Sequence, residues 1–329
     1  MSEKRGRILS GMRPTGPMHL GNLAGALRNW AKLQDHYDCF YCIVDWHALM
    51  SEFANSRSIA QYTWEVLADW LAVGLDPERS TLFIQSHVPE HVELHMILSC
   101  ITPIPWLERC PTYKEQQQEM RNHDLTNYAF LGYPVLMAAD ILIYRADTVP
   151  VGDDQLPHLE LTREIGRRFN HLYGEVFPDP QALLAPTSRI LGLDRRKMSK
   201  SYDNYIALSD DAQTIRTKVM SMITDPQRIR RTDPGRPDYC NVHSYYEAFG
   251  TQEEADQVAG RCRAAEWGCT ECKSRLAEIL IEVLTPVRER REHLLSEREE
   301  LEGIMEAGSQ RARGEAQKTM HMVHQALGF

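Results

Sequence analysis

Two short segments of this sequence carry residue types that suit phosphate chemistry. The first, residues 14–22, reads PTGPMHLGN and lies between an apolar stretch and a helical repeat of leucines. The start of a helix offers unpaired backbone N–H groups and a partial positive charge, which favour phosphate binding. His19 and Asn22 add side-chain donors, and Gly21 permits close approach of a nucleotide. Alone, the segment is more typical of an ordinary glycine-rich turn.

The second segment, residues 197–201, reads KMSKS and follows Arg195 and Arg196. Lys197 and Lys200 flank small polar residues, a composition that suits a cationic loop able to neutralise charge on a transferring phosphate. A solvated charge run in a linker is the usual interpretation of such a pentapeptide. The presence of both segments in one chain favours the phosphate interpretation for each of them.

This pair of segments resembles the HIGH and KMSKS motifs of the class I aminoacyl-tRNA synthetases, with residues 19–22 matching the first motif and residues 197–201 the second. In that family both motifs bind ATP during amino-acid activation. The resemblance implies that the substrate carboxylate attacks the α-phosphorus of ATP and pyrophosphate leaves. The aminoacyl group then moves to the 3′-terminal ribose of tRNA. Positioning and electrostatics promote such a reaction, with Mg²⁺ sharing the phosphate charge.

A carboxylate within an apolar segment is the candidate for amino-acid selection. Residues 132–142 read GYPVLMAADIL, in which Asp140 is the only charged residue. A buried carboxylate is costly without a partner, and an indole N–H, which only donates, suits it well. Met137, Val149 and Val151 are expected to supply an apolar wall. The alternative roles for Asp140 are a helix cap or an ion pair with Arg145.

Residues 42–47, 133–140 and 149–155 are similar to those of the bacterial tryptophanyl-tRNA synthetases, and the resemblance covers nearly the whole chain. It implies one site for L-tryptophan and one for ATP. The residues implied to line the tryptophan site are Leu9, Gly11, His47, Tyr133, Met137, Asp140, Ile141, Val149 and Val151. The residues implied to contact ATP are Arg13, Asn22, Gly152, Asp154, Gln155, Ile190 and Met198. The catalytic residues implied are His19, Asn22, Lys114, Lys197 and Lys200.

Two of these positions depart from the family pattern. Leu9 stands where many bacterial relatives carry an aromatic residue, and Arg13 stands where many carry glutamine. Tyrosine is the nearest competing substrate, because the two synthetases share an architecture. A site built to bond one polar group rejects analogues that lack this group by large factors. We therefore expect the contact between Asp140 and the indole N–H to decide the specificity.

Four of the eight cysteines are spaced like metal ligands. Cys240, Cys262, Cys269 and Cys272 give the pattern C-x21-C-x6-C-x2-C. This pattern suits a tetrahedral zinc ion or a [4Fe-4S] cluster, and four unrelated thiols are the alternative. A subset of bacterial tryptophanyl-tRNA synthetases is similar here and carries a [4Fe-4S] cluster, which favours iron–sulfur over zinc. Most of the family lacks these cysteines, so we expect a structural or RNA-contacting role.

The net charge of −9 argues against a protein that holds nucleic acid through overall positive charge, as many DNA-binding modules do. Binding of tRNA then requires a local basic patch. Basic residues near the cysteines supply a candidate patch, although a solvated basic loop is equally compatible with them. These residues are Arg228, Arg230, Arg231, Arg236 and Lys273.

Strand and helix signals alternate through the first half of the chain. Short apolar segments predict strands at residues 8–10, 39–44, 81–84 and 148–151. Apolar residues at three- and four-residue steps predict helices at residues 20–33, 58–73 and 134–144 and from residue 153 onward. The alternation implies a parallel sheet with helices on both faces, which binds ligands at the carboxyl ends of its strands.

Clear strand signals stop near residue 194, and charged helical stretches follow. We therefore predict an α/β fold, in which residues 1–194 form a Rossmann-like parallel-sheet catalytic domain that binds ATP and tryptophan. A second, all-helical domain at residues 195–293 holds the KMSKS loop, the cysteine centre and the anticodon-binding surface. By resemblance, helices within residues 294–329 return to the catalytic domain.

The activity that the resemblance implies is ligation of L-tryptophan to tRNA(Trp), with ATP and Mg²⁺, by a homodimer. No segment approaches the roughly 20 apolar residues that span a bilayer, so we expect a cytoplasmic protein. The rival hypothesis is a synthetase-like redox or RNA-sensing protein that has lost ligation. The presence of Lys197, Lys200 and Asp140 argues against this rival.

Overall fold

The structure is a computed structural model that describes residues 4–110, 127–184 and 190–329. The chain divides into two compact units. The first unit comprises Met1–Gly16, Trp30–Ala185 and Glu297–Phe329, and the second comprises Pro17–Asn29 and Pro186–Ser296. Both units are discontinuous in sequence, whereas the predicted domains are continuous segments. The functions assigned to those predicted domains stay a prediction.

A five-stranded sheet forms the centre of the first unit. Its strands are β1 (Arg7–Met12), β2 (Asp38–Ile43), β3 (Ser80–Ile84), β4 (Thr148–Val151) and β5 (Gln181–Leu184). They lie in the order β3-β2-β1-β4-β5, and every neighbouring pair is parallel. The strand order reverses between β1 and β4, the point where parallel sheets form a ligand crevice. The predicted α/β fold with a Rossmann-like parallel sheet is confirmed.

Helices connect the strands and supply most of the remaining described residues of the first unit. Along the chain up to residue 184 the helices are α1 (Leu20–Asn22), α2 (Arg28–Leu33), α3 (Asp45–Glu52), α4 (Ser56–Ala72), α5 (Glu90–Ile101), α6 (Ile104–Glu108), α7 (Tyr128–Ile143) and α8 (Leu156–Tyr173). Of these, α1 belongs to the second unit, and α2 begins in the second unit and continues into the first at Trp30. A π-helical turn, Leu23–Leu27, joins α1 to α2. Short 3-10 turns occur at Phe53–Asn55, Gln85–His87 and Asp153–Gln155.

Helix α7 begins earlier than the sequence predicts. The predicted start at Pro134 is wrong, because the side chain of Asn127 caps the helix by accepting a hydrogen bond from the Phe130 N–H at 2.9 Å. Pro134 therefore lies inside α7. A cap can move a helix start by more than a turn against a proline signal. Helix α3, which follows β2 directly, lies outside the predicted elements.

The second unit is helical in the residues that the structure describes, with strand pairing limited to isolated bridges. Its longer helices are α9 (Ala212–Ser221), α10 (Asn241–Phe249), α11 (Gln252–Arg263) and α12 (Cys269–Ser296). Asp211 caps α9, with its carboxylate accepting from the Thr214 N–H at 2.7 Å. Further 3-10 turns lie at Lys200–Tyr202 and Pro237–Tyr239.

The last helix, α13 (Arg298–Leu327), belongs to the first unit. It packs against β3, and Gly308 permits this close approach because a Cβ atom there would overlap the carbonyl oxygen of Leu82. Side chains of α13 complete the main hydrophobic core, namely Ala312, Ala316, Met320 and Val323. None of the helices in the described ranges combines the length and the apolar character needed to cross a membrane.

Candidate active site and cysteine cavity

A cavity of about 330 Å³ lies in the first unit at the carboxyl ends of β1, β2 and β4. We call it the Asp140 cavity. All nine residues predicted for the tryptophan site line it: Leu9, Gly11, His47, Tyr133, Met137, Asp140, Ile141, Val149 and Val151. Arg13 and Gln155, predicted for ATP, line it as well. The structure therefore brings together predicted residues that are up to 146 positions apart, from Leu9 to Gln155.

Further lining residues were missing from the sequence prediction. They are Ser10, Cys42, Val44, Met50, Ser51, Phe130, Pro150 and His158. Ser10, Cys42, Val44 and Pro150 lie on or directly after β1, β2 or β4, so the carboxyl ends of these strands were the signal that could have found them. The other four lie on helices, where no such signal exists. At Gly11 the wall tolerates no side chain, because a Cβ atom would lie 2.8 Å from the Cys42 carbonyl oxygen.

Asp140 is almost completely buried and accepts hydrogen bonds from three side chains. Gln85 donates through Nε2 to Oδ1 at 2.8 Å and to Oδ2 at 2.9 Å. The ring nitrogens His91 Nδ1 and His47 Nε2 lie 2.6 Å from Oδ1 and 2.9 Å from Oδ2, respectively. The alternative of an ion pair with Arg145 is wrong, because these three residues occupy the carboxylate instead.

Burial by itself favours a raised pKa for Asp140, but the hydrogen bonds and charge of His47 and His91 outweigh it and lower the pKa below the usual range. Asp140 is therefore an ionised acceptor at neutral pH. Gln85 and His91 were not predicted. Gln85 directly follows the carboxyl end of β3, where such a partner is expected. His91 lies on α5, which sequence spacing alone does not bring towards α7.

A second series of hydrogen bonds, separate from those of Asp140, holds further side chains that line the cavity. The hydroxyl of Tyr133 lies 2.6 Å from His158 Nε2, and His158 Nδ1 lies 3.1 Å from Gln155 Oε1. Burial lowers the pKa of His158 to about 4, so the imidazole is neutral at physiological pH. Since Gln155 Oε1 accepts only, Nδ1 carries the proton and Nε2 accepts from Tyr133. This series of hydrogen bonds sets the positions of Tyr133 and Gln155.

In the second unit, His19 caps α1. The Asn22 N–H donates to His19 Nδ1 at 3.3 Å, and the side-chain oxygen of Asn22 accepts from the His19 N–H at 3.1 Å. Burial, followed by the charge of Lys200, lowers the pKa of His19 to about 4. Because Nδ1 accepts, the neutral ring carries its proton on Nε2. His19 is therefore a neutral hydrogen-bond donor at Nε2.

The backbone N–H groups at the start of α1 are engaged within the second unit. Leu20 donates to the Ile206 carbonyl at 3.0 Å, and the Gly21 N–H lies 3.2 Å from Met198 Sδ. The expectation of unpaired N–H groups at this helix start is thus wrong for these residues. The side chains of the motif, rather than its backbone, remain for phosphate contacts.

Asn204 organises the segment 197–201. Its Oδ1 accepts from the Ser199 N–H at 2.8 Å, and its Nδ2 donates to the Lys197 carbonyl at 3.1 Å and to Asp194 at 2.7 Å. Met198 is buried, whereas Lys197 is exposed and Lys200 is half-buried. Asn204 thus braces the backbone of this loop, and Lys197 is its exposed lysine.

The remaining predicted ATP and catalytic residues are distributed between the two units. Gly152 and Asp154 follow β4 in the first unit, and a Cβ atom at Gly152 would lie 2.7 Å from Asp154 Oδ1. Ile190 is buried in the second unit. Lys114 lies outside the described residues.

The four spaced cysteines, all free thiols, line one small cavity of about 20 Å³ in the second unit, which we call the cysteine cavity. Arg228 Nη1 lies 3.7 Å from Cys262 Sγ. Burial raises the pKa of Cys272 to about 12. The donor set suits a thiolate-bound centre, although no three ligating side chains within the described residues are close enough together to hold a metal ion.

Most of the nearby basic side chains bind other parts of the second unit. Arg228 donates to the Trp267 carbonyl at 2.7 Å, Arg236 pairs with Asp225 at 2.6 Å, and Lys273 donates to the Met220 carbonyl at 2.9 Å. Arg230 is exposed. Most residues of the predicted basic patch therefore form hydrogen bonds or ion pairs within the second unit.

Comparison with known proteins defines the class of this fold and site. The family model of the class I tRNA synthetases (W and Y) matches residues 1–285. The tryptophan–tRNA ligase of Aquifex aeolicus is 44% identical, covering 98% of this chain and 100% of its own length. That of Thermotoga maritima is 46% identical, covering 98% and 99%. The tryptophanyl-tRNA synthetase of Campylobacter jejuni, solved with ADP and tryptophan, is 31% identical with a TM-score of 0.89, covering 98% and 100%.

The chain thus belongs to the class I tRNA synthetases of the W and Y family. The full-length relatives narrow this further, since seven curated relatives at 40–46% identity are tryptophan–tRNA ligases. The chain is a tryptophan–tRNA ligase, which uses ATP to join tryptophan to tRNA(Trp). The rival hypothesis of a sensor without ligase activity is accordingly set aside.

Proposed function

We propose that L-tryptophan binds in the Asp140 cavity, with the indole N–H donating to the Asp140 carboxylate. One observation carries this proposal: a buried, ionised acceptor lies in an otherwise largely apolar cavity of about 330 Å³, lined by all nine candidate residues. Met137, Ile141, Val149 and Val151 supply the apolar contacts for the indole rings. An indole N–H can add a further hydrogen bond to this carboxylate, whereas an apolar side chain in its place cannot.

The proposed ATP contacts fall into two sets. Gly152, Asp154, Gln155 and Arg13 form the set in the first unit, and Asn22, Ile190 and Met198 form the set in the second. His19, through its neutral Nε2–H, and the lysines Lys197 and Lys200 are proposed to bind the phosphates. Lys114 keeps this role as a prediction from resemblance. Mg²⁺ bound to the ATP phosphates would share their charge, so the lysines need not neutralise it alone.

The test of substrate and site is ATP–pyrophosphate exchange with each amino acid in turn. We expect exchange with tryptophan and only weak exchange with tyrosine. His19→Asn should lower kcat about 100-fold or more, as loss of a donor to a developing charge does, with little change in the KM for tryptophan. Equal exchange with tyrosine would contradict the assignment of Asp140, and an unchanged kcat would contradict that of His19.

We further propose that Cys240, Cys262, Cys269 and Cys272 hold a [4Fe-4S] cluster. Four free thiols around one cavity, with the Arg228 guanidinium 3.7 Å from Cys262 Sγ, support a negatively charged thiolate centre. Bound there, the cluster would cross-link α11 and α12 with the segment before α10. A volume of about 20 Å³ has room for roughly one small ion, which favours zinc as the second candidate.

Iron, sulfide and zinc analysis of anaerobically purified protein distinguishes the two centres. We expect about four iron and four sulfide per chain, as a [4Fe-4S] centre requires. A content of one zinc and no iron per chain would refute the cluster and support a zinc site instead. Protein free of both would refute a thiolate centre.

A homodimer and an anticodon-binding surface complete the proposal. The first unit exposes large apolar side chains at Phe53, Met96, Ile104 and Tyr128, and we propose that the dimer interface covers some of them. Exposed Arg230 in the second unit supports a tRNA contact there. Sedimentation of the full chain and of Met96→Glu tests the dimer, with a shift towards monomer expected for the variant. The cytoplasmic location stays a prediction.

A further inference from the structure

The two oxygens of the Asp140 carboxylate have different surroundings. Gln85 donates to both oxygens, so the difference between them lies in the two histidines. Oδ2 bonds to His47, which lines the Asp140 cavity, whereas Oδ1 bonds to His91, which has no exposed surface and is not among the lining residues. Oδ2 is therefore the oxygen on the cavity side. Any ligand donor that enters the cavity approaches the carboxylate from this side.

His91 is itself held from behind. Its Nε2 lies 2.7 Å from the hydroxyl of Tyr144, which is also fully buried. Asp140 is an acceptor, so Nδ1 of His91 carries a proton in both the neutral and the protonated ring. Tyr144 is locked in turn by stacking on Phe40 at 4.8 Å and by an edge contact with Phe83 at 5.3 Å.

We propose that His91 and Tyr144 are positioning residues for substrate recognition: they clamp Oδ1 of Asp140 so that Oδ2 stays turned towards the cavity for the indole N–H. This inference rests on the proposed tryptophan site. His47 is the exchangeable partner, which shares or yields Oδ2 when the ligand arrives. His91 and Tyr144 touch no ligand and act only through the carboxylate.

We call the hydrogen bonds from Tyr144 through His91 to Asp140 the relay. The relay affects the binding of tryptophan rather than the chemical step. The indole N–H is remote from the carboxylate and phosphorus that react, so its hydrogen bond is equally strong in the ground state and in the transition state. Loss of the clamp should therefore raise the KM for tryptophan and leave kcat and the KM for ATP unchanged.

Tyr144→Phe is the mildest test, because it removes only the hydroxyl and keeps the aromatic packing. We expect the KM for tryptophan to rise about threefold to tenfold, the range of one hydrogen bond. The matched control is Tyr41→Phe. Tyr41 is equally buried, and its hydroxyl donates to the Trp30 carbonyl at 3.0 Å, away from Asp140. The control should leave the KM for tryptophan unchanged.

Two substitutions at His91 separate the effect of the hydrogen bond to Asp140 from the effect of side-chain bulk. His91→Asn places an amide near the position of Nδ1 and should retain a KM within about threefold of the parent, the lower end of the range for a hydrogen bond. His91→Gln moves the amide towards Tyr144 and should raise the KM for tryptophan about 10-fold to 100-fold, as loss of a hydrogen bond to a charged group does.

An unchanged KM in both Tyr144→Phe and His91→Gln overturns the relay, and so does an equal rise in Tyr41→Phe. If His91→Gln fails to fold, Tyr144→Phe alone decides. Asp140→Asn distinguishes failure of the relay from failure of the tryptophan site. A raised KM in Asp140→Asn with none in the relay variants refutes the relay alone, whereas an unchanged KM in Asp140→Asn refutes both.

Discussion

The Asp140 cavity and the cysteine cavity differ in how far the chain alone completes them. In the first, every oxygen of the key carboxylate already has protein donors, from Gln85, His47 and His91, and the open volume is about 330 Å³. In the second, four thiols share a volume of about 20 Å³ with one arginine contact. A substrate that comes and goes needs a site organised before it binds, whereas a resident centre can organise its own ligands.

The largest effect is expected from removal of one cysteine. If the centre is present, Cys262→Ser should lower its iron content and reduce the free energy of unfolding of the second unit by about 4 kcal/mol or more, because metal binding is coupled to folding. Urea titration followed by far-UV circular dichroism measures this. The matched control is Cys100→Ser, an exposed thiol in α5 of the first unit, which should change neither quantity. An unchanged iron content in Cys262→Ser would contradict the view that the cysteine cavity is completed by a bound centre.

The next effect tests the preorganised site. Asp140→Asn should lower kcat/KM for tryptophan about 10-fold to 100-fold, because hydrogen bonds to a charged group are worth roughly 1.5–3 kcal/mol. The control is Asp45→Asn, a carboxylate that bonds to the Ser86 and Trp46 N–H groups and does not line the cavity. Steady-state pyrophosphate exchange measures both variants. Similar losses in the two would mean that the effect reports general stability.

A smaller effect probes how closely the backbone shapes the Asp140 cavity. Gly11→Ala places a Cβ atom 2.8 Å from the Cys42 carbonyl oxygen and should lower the free energy of unfolding by about 1–3 kcal/mol, as overpacking does. Gly303→Ala, on α13 with open space around it, should be neutral or slightly stabilising. Thermal unfolding compares the two. A Gly11→Ala variant as stable as the parent protein would show that the backbone around the cavity can shift to accommodate a methyl group.

The smallest expected change is in the protonation of Asp140. Its pKa is lowered by hydrogen bonds from His47 and His91 that outweigh burial, so its contribution to stability is complete above the unfolded pKa of about 3.9. That contribution is lost only as the pH falls through the lower pKa of the folded state. Carboxyl ¹³C NMR should therefore show no titration of Asp140 above about pH 4. Titration nearer neutrality would mean that the cavity favours the protonated acid.

The order of the elements and the lining of the Asp140 cavity were accessible from the sequence. The strands predicted at residues 8–10, 39–44 and 148–151 follow from apolar runs and turn signals, and the carboxyl-end rule then brings their ends together. The nine predicted lining residues came from resemblance to a family whose chain spans the same motifs. Gly11 shows why such a residue persists, since its backbone has no space for a Cβ atom.

Two of the three partners of Asp140 were not predicted, because their positions depend on how the elements pack. Gln85 and His91 reach the carboxylate from a turn and from α5, and no spacing rule links them to α7. The paired N–H groups of Leu20 and Gly21 were missed for the same reason, since their acceptors lie about 180 residues away in sequence. The start of α7 was wrongly predicted at Pro134, because the helix begins after its cap at Asn127 and contains the proline.

The return of α13 to the first unit sets the order in which a growing chain can fold. Ala312, Ala316, Met320 and Val323 complete a core whose strands are made first, while all residues of the second unit precede α13. During synthesis the second unit can close while the sheet still lacks its last helix and exposes part of β3. Apolar strand surface left open in this way favours aggregation. We therefore expect the nascent first unit to be prone to aggregation until α13 has been synthesised.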